Sequence, residues 1–206
     1  MTGIPKISPY SIPNKNELPS NQVDWQFDPE RAVLLVHDMQ KYFVEPFSEE
    51  MQSLLIDRVY KLVSYCHDQS VPVCYSAQPG SMTSKQRGLL KDYWGEGMSR
   101  DASHTSIVEP LSIREHDWQV VKWRYSAFQK TNLSHMMQEA GRDQLVICGV
   151  YAHVGVLMTA VDSFSNDFET FVVADAIADF SRENHLLALD YAARNCAVLT
   201  TTEEFV

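Results

Sequence analysis

A chain of 206 residues, 45% hydrophobic and 21% charged, is sized for one soluble domain around a single core. A formal net charge of -10 argues against a nucleic-acid partner, which needs a basic face. No apolar run approaches the ~20 residues of a membrane span, so no membrane partner is expected.

Residues 1–29 are rich in Pro, Asn and Ser and read as an irregular arm lying over the body or over a partner subunit. Met1 to Asn21 lacks the apolar segment of a secretory leader. The four cysteines, Cys66, Cys74, Cys148 and Cys196, are scattered without a CxxC pair, as expected of buried reduced thiols in a cytoplasmic protein. Residues 30–206 read as one domain.

The first apolar run, Ala32 to His37, has the unbroken character of a strand covered on both faces, and Asp38 ends it. That carboxylate either caps the next helix or faces a ligand. Ser48-Glu49-Glu50 opens a helix running to about His67, with Leu54, Leu55, Val59, Leu62, Val63 and Cys66 at helical spacing. Val71 to Ala77 is the second strand, and the turn Gln78 to Met82 comes after it. A short helix over Thr83 to Tyr93 and a polar loop over Trp94 to His104 come next. Trp118 to Lys122 is the third strand, ending on a charge. A short helix leads from Ser126 to about Ala140 and stops at Gly141. Gln144 to Val150 is the fourth strand, followed by an apolar helix from His153 to Phe164. Thr170 to Ala174, a helix over Arg182 to Arg194, and a sixth strand over Cys196 to Thr200 complete the chain.

Alternating strands and helices predict a three-layer α/β, Rossmann-like fold: an open six-stranded parallel sheet with helices on both faces. Neither GxGxxG after a strand nor GxxxxGK[ST] occurs, so no dinucleotide or P-loop signature is present. In such a sheet the carboxyl ends of the strands form the ligand edge. Asp38, Lys122 and the turn from Gly149 to Gly155 all fall there, and Asp38 and Lys122, taken to stand at adjacent strand ends, can form a buried ion pair. Tyr151 and Gly155 lie at a helix N-terminus, where backbone amides attract an anion and a glycine lets a ligand come close. An anionic ligand in so acidic a chain needs local cations, for which Lys122 and Arg87 are the candidates.

The segments LLVHDMQKYF around Asp38, VVKWRYSAF around Lys122 and VICGVYAHVGVLMTAVDS after the fourth strand resemble the signatures of the isochorismatase-like hydrolases, over nearly the whole chain. The wording VHDMQ, AQPGSM, RGLLKDYWG and KWRYSAF is similar to the phenazine-pathway branch of that family. Amidases of the superfamily carry a nucleophilic cysteine where this chain has Gly155, so the resemblance implies chemistry without a thiol. The amidases' metal-binding residues after the second strand have no counterpart in Ala77 to Ser81, and neither metal nor cofactor is expected; His37 and His104 alone make a poor site. The chain stops at Val206, so no carrier domain of the siderophore type is expected after it.

The resemblance implies hydrolysis of the enolpyruvyl vinyl ether of 2-amino-2-deoxyisochorismate, or of isochorismate itself, with Asp38 as the acid and Lys122 beside it. It places Gln78 and Arg87 on polar groups of the substrate and a cis peptide at Val150–Tyr151. Phe43, Trp94 and Tyr125 are expected to wall the site with Tyr151 and Gly155. A homodimer is expected. A non-catalytic binding module on the same scaffold is the reading from a different class.

Overall fold

The computed structural model describes residues 4–205. Six strands form one sheet: β1 (Ala32–His37), β2 (Val73–Ala77), β3 (Trp118–Val121), β4 (Gln144–Val150), β5 (Glu169–Ala178) and β6 (Val198–Thr200). Their order is β3-β2-β1-β4-β5-β6, and every pairing is parallel. Strand order therefore reverses between β1 and β4, the crevice where open α/β sheets hold their ligands.

The helices are α1 (Lys41–Val44), α2 (Glu49–Asp68), α3 (Ser84–Arg87), α4 (Leu90–Trp94), α5 (Ala102–Thr105), α6 (Leu133–Glu139), α7 (Leu157–Ser165) and α8 (Arg182–Asn195). β1 shows why the sheet must be covered twice. Leu34 and Val36 pack with Leu55, Val59 and Leu62 of α2, whereas Val33 and Leu35 pack with Leu133 and Met137 of α6 and Leu189 of α8. All of these residues are fully buried, each contributing roughly 1.5–3 kcal/mol of hydrophobic stabilisation. Ser48 caps α2 through its side chain, which accepts the Met51 N–H.

Several boundaries move for identifiable reasons. The helix expected over Thr83 to Tyr93 is two, because Gly88 adopts φ +54° between α3 and α4. The polar loop after Trp94 contains α5, capped by Asp101. α6 begins at Leu133, not near Ser126. The helix after β4 opens with a π-helical turn, Ala152–Val156, before α7. β5 continues past Ala174 through Asp175, a polar residue that reads as a strand end. Its carboxylate is nearly buried, accepting from the Thr202 N–H and hydroxyl at 2.8 and 3.0 Å and lying 3.5 Å from Arg58.

Residues 4–29 lie across the body as an arm with one 3₁₀ turn at Lys15–Glu17; the first three residues of the arm, and Val206, fall outside the described residues. The Ile7 N–H donates to the Pro46 carbonyl at 2.9 Å, and the Asn21 side chain exchanges two hydrogen bonds with Leu199. Among the described residues no helix is long and apolar enough to cross a membrane.

Candidate active site

Asp38 leaves β1 with φ +49°, a left-handed backbone conformation that costs a non-glycine residue energy and that surrounding structure must enforce. It is not a helix cap; the N-cap of α1 is Gln40. The residue is 3% exposed. The Ser76 hydroxyl donates to its Oδ1 at 2.7 Å, the Lys122 ammonium lies 2.9 Å from Oδ2, and the Gln78 amide donates to Oδ2 at 3.3 Å. Burial alone would raise the Asp38 carboxyl, but the Lys122 charge and the hydrogen bonds outweigh it and hold the group below the usual carboxylate range.

Asp38 and Lys122 do not stand at adjacent strand ends. β2 runs between β1 and β3, and Lys122, 2% exposed, crosses the end of β2 to reach the carboxylate. The ammonium also donates to the Arg124 carbonyl at 2.6 Å. Ser76 on the intervening strand completes the triangle, and only the strand order reveals it.

Gln78 links this pair to Arg87. Its amide nitrogen faces Asp38, and its oxygen accepts from Arg87 Nη1 at 3.3 Å. Arg87 is nearly buried and donates through Nε to the Gly95 carbonyl at 3.0 Å. The guanidinium passes so close to Gly97 that a Cβ there would lie 2.8 Å from Cζ. Gln40, 1% exposed, sets Gln78 in turn: it accepts the Gln78 N–H at 2.8 Å and donates to the Gln78 and Thr105 carbonyls.

An aromatic wall faces these polar groups. Tyr151 donates its hydroxyl to the Phe43 carbonyl at 2.6 Å, and Trp94 donates to the Tyr125 hydroxyl at 2.8 Å. Phe180 stacks on both Tyr151 and Trp94, at ring separations of 4.1 and 5.7 Å. The Val150–Tyr151 peptide is cis.

All nine expected residues, Asp38, Lys122, Gln78, Arg87, Trp94, Tyr151, Gly155, Phe43 and Tyr125, line one cavity of about 450 Å³. The same cavity is lined by residues not expected there, notably His37, Tyr42 and Phe180, and by Ile4 and Pro5 of the arm. Phe180 is not legible in the sequence because β5 runs four residues beyond Ala174, its expected end. His37 carries no local signal beyond that of a possible metal ligand.

Two expectations at the β4 turn are corrected. Gly155 does not leave its space to a ligand: a Cβ there would lie 2.2 Å from Cε1 of the His37 ring, which fills that space. The amides of the helix N-terminus are largely spent within the protein. Those of Val154, Gly155 and Val156 converge on the Tyr151 carbonyl, and that of His153 donates to the buried Asp179 carboxylate at 2.6 Å. His153 serves the same carboxylate through Nδ1 at 2.7 Å.

No cysteine among the described residues lines the cavity. Cys148 is fully buried in β4, and burial pushes its thiol far above the ordinary range. Among the described residues no three His, Cys, Asp or Glu side chains are gathered closely enough to hold a metal ion.

Residues 32–204 match the isochorismatase domain family. The chain belongs to the isochorismatase family. It is a hydrolase of that family, and full-length relatives agree. It is 51% identical over 206 residues, all of both chains, to the phenazine biosynthesis protein PhzD of Pseudomonas fluorescens. It is 44% identical over 205 residues, 98% of this chain and 72% of that protein, to enterobactin synthase component B of Escherichia coli K12. A cysteine hydrolase from Pseudomonas syringae pv. phaseolicola superimposes with a TM-score of 0.81 at 22% identity, covering 90% of this chain and 94% of that one. N-carbamoylsarcosine amidase from Thermoplasma acidophilum gives 0.74 at 22% identity, covering 84% and 97%. At these identities the two structures speak for the shared isochorismatase-family fold alone.

Proposed function

We propose that this isochorismatase-family hydrolase cleaves the enolpyruvyl vinyl ether of 2-amino-2-deoxyisochorismate, giving pyruvate and trans-2,3-dihydro-3-hydroxyanthranilate in phenazine biosynthesis. The observation that carries the reading is the Asp38 carboxylate, buried beside Lys122 in the lining of a cavity that no cysteine among the described residues joins. Full-length similarity to phenazine biosynthesis proteins supports the choice of substrate.

Vinyl ether hydrolysis needs a proton delivered to carbon and no protein nucleophile. Protonated Asp38 gives its proton to the terminal methylene, which becomes the pyruvate methyl. The resulting oxocarbenium ion takes up water, and the Asp38 carboxylate receives the proton that water sheds. The hemiketal then collapses to pyruvate and the ring alcohol, and no covalent intermediate forms. In the free enzyme Lys122 keeps Asp38 ionised. A substrate with two carboxylates seated beside it, one of them on Arg87, offsets that charge and favours proton uptake. The aromatic wall limits the water that reaches the cation.

Similarity to enterobactin synthase component B favours a second reading, isochorismatase activity giving 2,3-dihydro-2,3-dihydroxybenzoate for a siderophore. Pyruvate release from both substrates, compared as kcat/KM, decides between them; the amino substrate is expected to win. Asp38→Asn preserves shape and is expected to lower kcat by roughly 10²–10⁴-fold, the usual worth of a positioned acid. A folded Asp38→Asn protein with undiminished turnover would refute the role of Asp38. Isochorismate bound without pyruvate release from either compound would favour the binding-module reading.

A further inference from the structure

His37 is 0% exposed, lines the cavity, and precedes the residue proposed as the acid. Its Nδ1 lies 2.7 Å from the Val150 carbonyl, so that nitrogen carries the proton and donates. Nε2 is buried without a well-formed hydrogen bond among the described residues, and the Tyr125 backbone, like the Val150 carbonyl, weakly favours a proton on the ring. The ring occupies the volume that any side chain at 155 would need. A leucine-sized side chain would fill this space without burying an unpartnered nitrogen, so packing alone does not explain an imidazole here.

The charged groups facing the ring are Asp38, whose Oδ2 is 4.0 Å from Nδ1, and Lys122. Burial, with Lys122 nearby, keeps the imidazole neutral down to about pH 4, although Asp38 pulls the other way. Lys122 therefore remains the main positive charge on the carboxylate. Geometry points the same way. The Val150 carbonyl stands at the end of β4, which pairs with β1 up to His37 opposite Gly149, and the strained bend at Asp38 comes immediately after.

We propose that His37 is a positioning residue: its ring, seated against the Gly155 backbone and tied to the Val150 carbonyl, holds the left-handed bend that aims Asp38 at Lys122 and the substrate. This rests on the reading of Asp38 as the acid. It adds a shape-matched pair, His37 with Gly155, on which the reaction geometry depends.

The test compares His37→Leu, His37→Asn, Gly155→Ala and the double variant His37→Asn/Gly155→Ala, with folding checked by circular dichroism. Asparagine reproduces the Nδ1 donor but lacks the Cε1 atom that a Cβ at 155 would strike. His37→Leu and Gly155→Ala are expected to lower kcat by roughly tenfold or more while KM stays within about twofold, as for a small misplacement of a reacting group. His37→Asn is expected to keep kcat within a few-fold, and Gly155→Ala to cost much less kcat in its background than in the wild type. Wild-type kcat in His37→Leu, an equal Gly155→Ala loss in both backgrounds, or losses confined to thermal stability would overturn the proposal. If His37→Leu does not fold, the Gly155→Ala comparison in the two backgrounds still decides it. If the wild type releases no pyruvate from either substrate, the reading of Asp38 falls. The positioning role that rests on that reading then falls with it, whereas an active wild type with simple additivity overturns the positioning role alone.

Discussion

Lowering the pH from 7 to 5 should weaken the fold through two buried histidines. His37 and His185 are both fully buried, and burial lowers each from 6.5 to about 4. Between those values the unfolded chain binds a proton at each site and the folded protein does not, so stability falls as pH falls. The loss is complete only below about pH 4 and vanishes above about pH 7. For one such histidine the linkage relation gives about 2 kcal/mol between pH 7 and 5, so the pair accounts for about 4 kcal/mol. That is a large share of the 5–15 kcal/mol typical of a folded domain. Asp38 and Asp143 have lowered pKa values and stay ionised in this window, so they do not contribute. Urea titration at the two pH values reads the difference, and with a slope of roughly 1–3 kcal/mol per molar the midpoint should drop by more than about 1 M. His185→Gln removes one titrating group and should halve the pH-dependent loss. A midpoint unchanged between pH 7 and 5, or a His185→Gln protein with the full wild-type pH dependence, would refute the reasoning.

Arg87→Met should raise KM by about tenfold to a hundredfold, the worth of a charged hydrogen bond of roughly 1.5–3 kcal/mol, while kcat changes little; steady-state pyruvate release measures both. Gly149→Ala should abolish soluble expression or lower thermal stability severely. That residue adopts φ +109°, and a Cβ would lie 2.2 Å from the His37 carbonyl oxygen; a melting temperature within a few degrees of wild type would contradict this. Dialysis against EDTA should leave pyruvate release unchanged, and a loss restored by a divalent cation would show that a metal takes part.

Most of the element pattern is legible in the sequence because each element carries its own signal. The unbroken apolar run at Ala32 to His37 and the cap at Ser48 report on local chemistry, and both fall where expected. Misplaced boundaries share one cause. Asp175 looks like a strand end until its partners Arg58 and Thr202, far along the chain, are known. Gly88 gives no sign by itself that it will take a positive φ between two short helices. The nine residues expected at the site do line one cavity. Phe180 and His37 are not among them, because one depends on the true end of β5 and the other on a neighbour at position 155.

From its residues alone the chain determines a parallel α/β sheet and a carboxylate at the end of its first strand. Periodicity and residue type are local properties, so sequence is enough for them. Strand order is not local. It puts β2 between β1 and β3, brings Ser76 to Asp38, and makes Lys122 reach across to the carboxylate. Which group fills the space beside Gly155 is likewise settled only when β1 and the turn after β4 pack together, since the contact joins residues more than a hundred positions apart. The balance of burial against the Lys122 charge, which sets the protonation of Asp38, exists only in that packed arrangement.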